Sequence, residues 1–151
     1  MYMNAPKLMT LYVLTALSFG FSMQVEALSY IVERFDTYTI RCSAIQTSEL
    51  PNEVIDRYDI REPSDDTGII SCVLQEEDAD NVMRNIEGSF NGYLLNIIGQ
   101  RTTMNFRAIL ENKAVTYIAS YERTSTSPVR FWMTVSTGES KHEFEFQDPS
   151  E

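Results

Sequence analysis

The chain has 151 residues, 43% of them apolar and including eight Tyr and eight Phe. That suits a single domain with a core of its own and argues against disorder of the whole chain. Twenty-two acidic residues against 12 basic ones give a formal net charge of −10, which disfavours both nucleic acid and an anionic membrane surface, because each needs a basic face.

At the N-terminus, Lys7 is followed by "LMTLYVLTALSFGF", a run without a charge, and then by "SMQVEA". This is the grammar of a secretory signal. The apolar part is shorter than the roughly 20 residues a membrane span needs, and Val25 and Ala27 supply small side chains where a signal peptidase reads. Residues 1–27 are therefore expected to be an export signal cut after Ala27, with an uncleaved anchor as the alternative, and 28–151 a single domain. Removal takes away one base and one acid, Lys7 and Glu26, so the mature domain remains acidic. The expected location is the periplasm, with no stable membrane span after processing.

Beyond the signal the prevailing period is two, with β-branched and aromatic residues between polar breaks. "FDTYTIRCSAI" sets Tyr38, Ile40, Cys42 and Ala44 against Thr39, Arg41 and Ser43. Next, "SELPNEVIDRYDI" predicts a short helix or helical turn from about Pro51 to Tyr58, with Pro51 at its first position. "GIISCVL" reads as a strand covered on both faces. "VMRNIEGSFNGYLLNII" reads as one long interrupted strand, bent or bulged at Gly88 and Gly92. Gly99 reads as a bend with Gln100 and Arg101 on its solvated rim. "TMNFRAIL" alternates Met104, Phe106, Ala108 and Leu110 against Thr103, Asn105 and Arg107, and "ENK" turns it into "AVTYIASYE". "VRFWMTV" and "KHEFEFQ" complete about seven strands. The expected fold is all-β, an antiparallel two-sheet sandwich of immunoglobulin-like arrangement with one short helical turn; a closed barrel is the alternative. The hallmark order Cys, Trp, Cys is missing, since Trp132 follows both cysteines.

The succession "ERFDTYTIRCSAIQTSELPNEVIDRYDI", "LLNIIGQRTTMNFRAI", "AVTYIASY" and "VRFWMTV", covering about Glu33 to Phe146, resembles a family of small exported all-β domains of unknown function from Gram-negative bacteria. The resemblance implies an immunoglobulin-like sandwich outside the cytoplasm. It implies no reaction and no catalytic residues, and the two cysteines are not features of the family.

Cys42 and Cys72 both lie in strand-like runs of the exported part, where an oxidising compartment permits a bridge closing about 30 residues. Two buried free thiols are the other reading. Neither Cys-x-x-Cys spacing nor clustered His marks a metal site, and no cofactor is expected. The lone histidine, His142, shares parity with Phe144 and Phe146, which makes it a packed or rim residue before a catalytic base. In "QEEDADN", Glu76, Glu77, Asp78, Asp80 and Asn81 carry oxygen ligands suited to calcium, yet without the glycine and distal glutamate of an EF-hand loop. A solvated loop is the simpler reading, for it and for "SDD" at Ser64 to Asp66. Tyr117 and Tyr121 share parity with Val115 and Ala119, which favours packing, whereas Trp132 shares its face with Arg130 and Thr134, which favours exposure. Arg130 and Trp132 are therefore the expected interaction patch, and an edge strand is a further docking route. The functional expectation is a non-enzymatic interaction or accessory module of the cell envelope, its partner an envelope protein or component. A small envelope hydrolase or metal-dependent enzyme is the alternative.

Overall fold

In a computed structural model of the chain, the structure describes residues 29–123, 129–138 and 140–148. The export signal expected at 1–27 lies outside the described residues. The strands are β1 (Ser29–Phe35), β2 (Tyr38–Gln46), β3 (Thr67–Glu77), β4 (Met83–Asn85), β5 (Ser89–Leu95), β6 (Arg101–Met104), β7 (Arg107–Glu111), β8 (Ala114–Glu122), β9 (Val129–Thr137) and β10 (Ser140–Asp148). Between β2 and β3 come a 3-10 turn, Thr47–Glu49, and a six-residue helix α1, Asn52–Arg57. Pro51 caps that helix with extended backbone rather than forming its first position.

The strands form two antiparallel sheets. The larger runs β1-β2-β3-β8-β7, with β4 also paired to β3, and the smaller runs β10-β9-β5-β6. An immunoglobulin sandwich places strands A, B, E and D in one sheet and C, F and G in the other, with C′ beside C in the variable type. Here β2, β3, β8 and β7 occupy the first set, and β5, β9, β10 and β6 the second. The expected immunoglobulin-like sandwich is what the chain forms, with β1 as an additional strand outside β2.

Alternation builds the core between the sheets. Ile40, Cys42 and Ala44 from β2, Ile70, Cys72 and Leu74 from β3, and Phe131, Met133 and Val135 from β9 are all buried in one cluster. Tyr121 meets Phe131 edge-on at 4.9 Å, while Phe131 stacks on Phe146 at 4.6 Å, so aromatic contacts join β8 to β9 and β10 across the layers. Cys42 and Cys72 are register partners on β2 and β3 and are joined by a disulfide with Cα atoms 4.2 Å apart. The bridge thus staples two strands of the same sheet, where an immunoglobulin domain links its two sheets.

Ten strands replace the seven expected, for three local reasons. "SYIVERF" forms β1, paired with β2 through a tight turn at Asp36 and Thr37, with Asp36 at φ 50°. The segment expected as one interrupted strand divides into β4 and β5, which belong to different sheets. "TMNFRAIL" also divides: after Met104 the chain leaves the smaller sheet and enters the larger one at Arg107. Met104 is buried while Leu110, expected on the same face, is exposed. The crossing breaks the parity that the sequence suggests. Asn112 and Lys113, both with positive φ, then make the two-residue turn from β7 into β8.

Candidate functional site: the outer face of the smaller sheet

A sandwich has two outer faces, and here they are finished differently. On the larger sheet Ile69 and Ile118 point away from the core cluster, yet each is only 3% exposed. The segment between β2 and β3 crosses this face. The Tyr58 hydroxyl donates to Glu111 Oε2 at 3.4 Å, and Arg57 lies 3.6 Å from the same carboxylate, which anchors α1 to the end of β7. Burial and the Glu111 carboxylate both push the Tyr58 phenol above its ordinary range. Buried Thr47 pegs the segment further: its hydroxyl donates to the Ser64 carbonyl at 3.0 Å, accepts from the Ser64 N–H at 2.9 Å, and contacts the Thr67 hydroxyl.

The smaller sheet carries no such cover among the described residues, and its outward side chains form rungs fixed by register. One rung runs Gln147, Arg130, Leu95 and Arg101 across β10, β9, β5 and β6; the next runs Glu145, Trp132, Tyr93 and Thr103. Arg130 and Trp132, the two residues singled out by alternation, therefore stand on one exposed face of β9. Trp132 is 37% exposed and lies nearly parallel to Tyr93, with ring centres 6.2 Å apart and planes 7° from one another. The Arg101 guanidinium carbon sits 4.7 Å from the centre of the Tyr93 ring, which extends the stack by a cation–π contact. Arg130 reaches Glu145 at 3.7 Å. Tyr93, Arg101 and Glu145 thus belong to the patch although the sequence did not single them out for it. The signal for Tyr93 is present in "SFNGYLL", where Phe90 and Leu94 are buried on the opposite parity.

One end of this face is closed by the turn between β5 and β6. The Asn96 side-chain oxygen accepts from the N–H groups of Ile98 and Gln100 at 3.1 and 2.9 Å, and the Gly99 N–H donates to the Asn96 carbonyl. Gly99 has φ 79°, a conformation that favours glycine. This bracing holds Ile97 and Ile98 outward, 74% and 73% exposed. A shallow cavity of about 260 Å³ lies between the turn and the sheet, lined by Leu95, Asn96, Ile97, Gly99, Arg130 and Gln147. The stretch that reads in sequence as a bend with a solvated rim is also the wall of a cavity that contains Arg130.

The other sequence candidates do not join this site. His142 places Nε2 3.0 Å from Glu33 Oε1 and stacks on Phe35 at 4.5 Å. It is a rim residue that ties β1 to β10. Tyr117 and Tyr121 are buried in the core, as their parity with Val115 and Ala119 suggests, and the Tyr117 hydroxyl accepts from the Gly88 N–H at 2.8 Å. Of the acidic run, Glu76 and Glu77 belong to β3. Asp78 organises the turn that follows: its carboxylate accepts from the N–H groups of Asp80 and Val82 and from Arg84. Those bonds, the Val82 N–H first and then Arg84, hold the Asp78 carboxyl below its ordinary range. No group of three or more His, Cys, Asp or Glu side chains among the described residues is placed to hold a metal ion.

Residues 32–149 match the family described as a domain of unknown function, DUF4426. The chain belongs to the DUF4426 family. Its fold is similar to the crystal structure of a DUF4426 family protein from Pseudomonas aeruginosa PAO1, with a TM-score of 0.66 and 21% identity over 79% of this chain and 92% of that one. No curated protein sequence matches. At that identity the likeness concerns the fold of the DUF4426 domain. The composition of the open face is read from this chain's own residues.

Proposed function

We propose that this DUF4426 chain is an exported, non-enzymatic interaction module of the cell envelope that engages a partner protein through the outer face of its smaller sheet. The observation that carries the reading is the contrast between a larger sheet whose outer face is crossed by a pegged segment and a smaller sheet that leaves Trp132, Tyr93, Arg130 and Arg101 accessible. Aromatic and arginine side chains are the types that dominate binding energy at protein interfaces. The side-chain ladder gives them fixed geometry, which lowers the entropy lost on association. Export is supported by the charge-free run after Lys7 and by Val25 and Ala27 before the proposed cut, and the disulfide suits an oxidising compartment. The engagement of His142 by Glu33 and Phe35 supports a structural role for the chain's one histidine.

Cell fractionation with mass measurement of the purified chain tests the export half. A periplasmic product beginning at Leu28 is expected, whereas a cytoplasmic product retaining Met1 rejects it. For the interaction half, the purified protein is offered ester, peptide and glycan libraries. Turnover that disappears in His142→Ala would replace this reading with a hydrolase.

A further inference from the structure

Three residues of the second rung and Arg101 of the first form an order across the open face with a geometric consequence. Glu145, Trp132 and Tyr93 are register neighbours on β10, β9 and β5, and Arg101 leans from β6 over the Tyr93 ring at 4.7 Å. The sequence across the sheet is acid, aromatic, aromatic, base. A two-fold axis lying along the strands, between Trp132 and Tyr93, reverses that order on a facing copy, so that each group meets its complement.

We propose that a second copy of this chain docks on the outer face of the smaller sheet, forming an isologous dimer. The proposal rests on the reading that this face is the interaction surface. In the dimer Glu145 of each copy meets Arg101 of the other, and Trp132 of each meets the other's Tyr93, every contact occurring twice as two-fold symmetry requires. Charge permits this in spite of the −10 carried by each chain. Lys141 lies 2.6 Å from Glu143 and balances it, while Arg130 and Arg101 together outnumber Glu145, so the face is not part of the chain's acidic excess. Four strands about 4.8 Å apart and about seven residues long present roughly 450 Å² in projection. That is well short of the roughly 800 Å² per partner typical of stable complexes, so association is weak and concentration-dependent.

Trp132 is the only tryptophan of the chain, so its emission reports directly on this face. Sedimentation velocity across a wide concentration series is expected to show a monomer converting to a dimer, with Trp132 emission shifting to the blue in step. Arg101→Glu and Glu145→Arg, each with an unchanged melting temperature, weaken the dimer by roughly tenfold or more, because each reversal places like charges together at two contacts. The double reversal reads base, aromatic, aromatic, acid, and restores association. A monomer at every concentration overturns the proposal, as does a dimer indifferent to both single reversals. If the monomeric protein is nonetheless crosslinked through position 132 to a different chain in cells, the dimer fails while the interaction surface stands.

Discussion

The two outer faces of this sandwich are made by the same alternation and reach opposite ends. Behind β3 and β8 the outward Ile69 and Ile118 are apolar and closed to solvent, and the segment between β2 and β3 is pinned at Thr47, which bonds Ser64, and at Tyr58 and Arg57, which reach Glu111 at the end of β7. Behind β9 and β5 the outward residues include Arg130, Trp132 and Tyr93, amphipathic side chains that tolerate water and also bury well, beside the apolar Leu95. A strand's second face records its surroundings: it is apolar at Ile69 and Ile118, where solvent is shut out, and aromatic mixed with charge around Trp132, where it is not.

The contrast can be broken by substitution, beginning with the staple of the larger sheet. Replacing both Cys42 and Cys72 by alanine removes a bridge with a sequence separation of 30, and the chain-entropy estimate for such a loop is about 3 to 4 kcal/mol. Chemical denaturation should register that loss; a change below about 1 kcal/mol would mean that the bridge constrains the unfolded chain little. Gly92→Ala attacks the smaller sheet from its inner side. A methyl group there would lie 2.8 Å from the Trp132 carbonyl oxygen and from Met133 Sδ, and overpacking of this kind costs about 1 to 3 kcal/mol. Equal stability of the alanine variant would show that β5 and β9 can separate without loss. Thr47→Val should cost roughly 1 kcal/mol by leaving the half-buried N–H and carbonyl of Ser64 without their side-chain partner, and should raise hydrogen exchange in the 47–66 segment before that in β9.

Asp78 gives a smaller, pH-dependent effect. Its folded-state pKa is depressed, so its contribution is present above the ordinary carboxylate value and is lost as pH falls through the lower, folded-state value. Asp78→Asn should flatten the acid limb of a stability-against-pH curve, and an unchanged limb would assign acid sensitivity to other groups. The smallest effect is expected at Arg130→Ala, within about 0.5 kcal/mol, because its pairing with Glu145 is solvent-exposed. A loss of several kcal/mol there would make Arg130 a structural residue rather than part of an available surface.

Much of this architecture is legible in the chain. Ile40, Cys42 and Ala44 in β2 and Phe131, Met133 and Val135 in β9 follow period two over long unbroken strands, which is why Arg130 and Trp132 could be placed on an outward face. Period two says nothing about which sheet a residue joins, however. Met104 and Leu110 share parity across a crossing between sheets, so one is buried and the other is not. The same blindness hid the rest of the patch: Tyr93 is brought to Trp132 by the long-range pairing of β5 with β9 and carries Arg101 with it from β6, while Glu145 is set opposite Trp132 by the register of the β9–β10 hairpin. The disulfide was open in sequence because two cysteines in separate strands give no register, and Cys42 opposite Cys72 supplies it.

The central claim, that the smaller sheet's outer face is the one used, is tested most directly by photo-crosslinking in intact cells. A photoreactive residue is placed at Thr134 beside Trp132, and in a parallel strain at Ser120, which is exposed on the outer side of β8. A discrete crosslinked species is expected from position 134 and is lost in Trp132→Ala, with little or none from position 120. A species formed equally from both positions, or from position 120 alone, would contradict it.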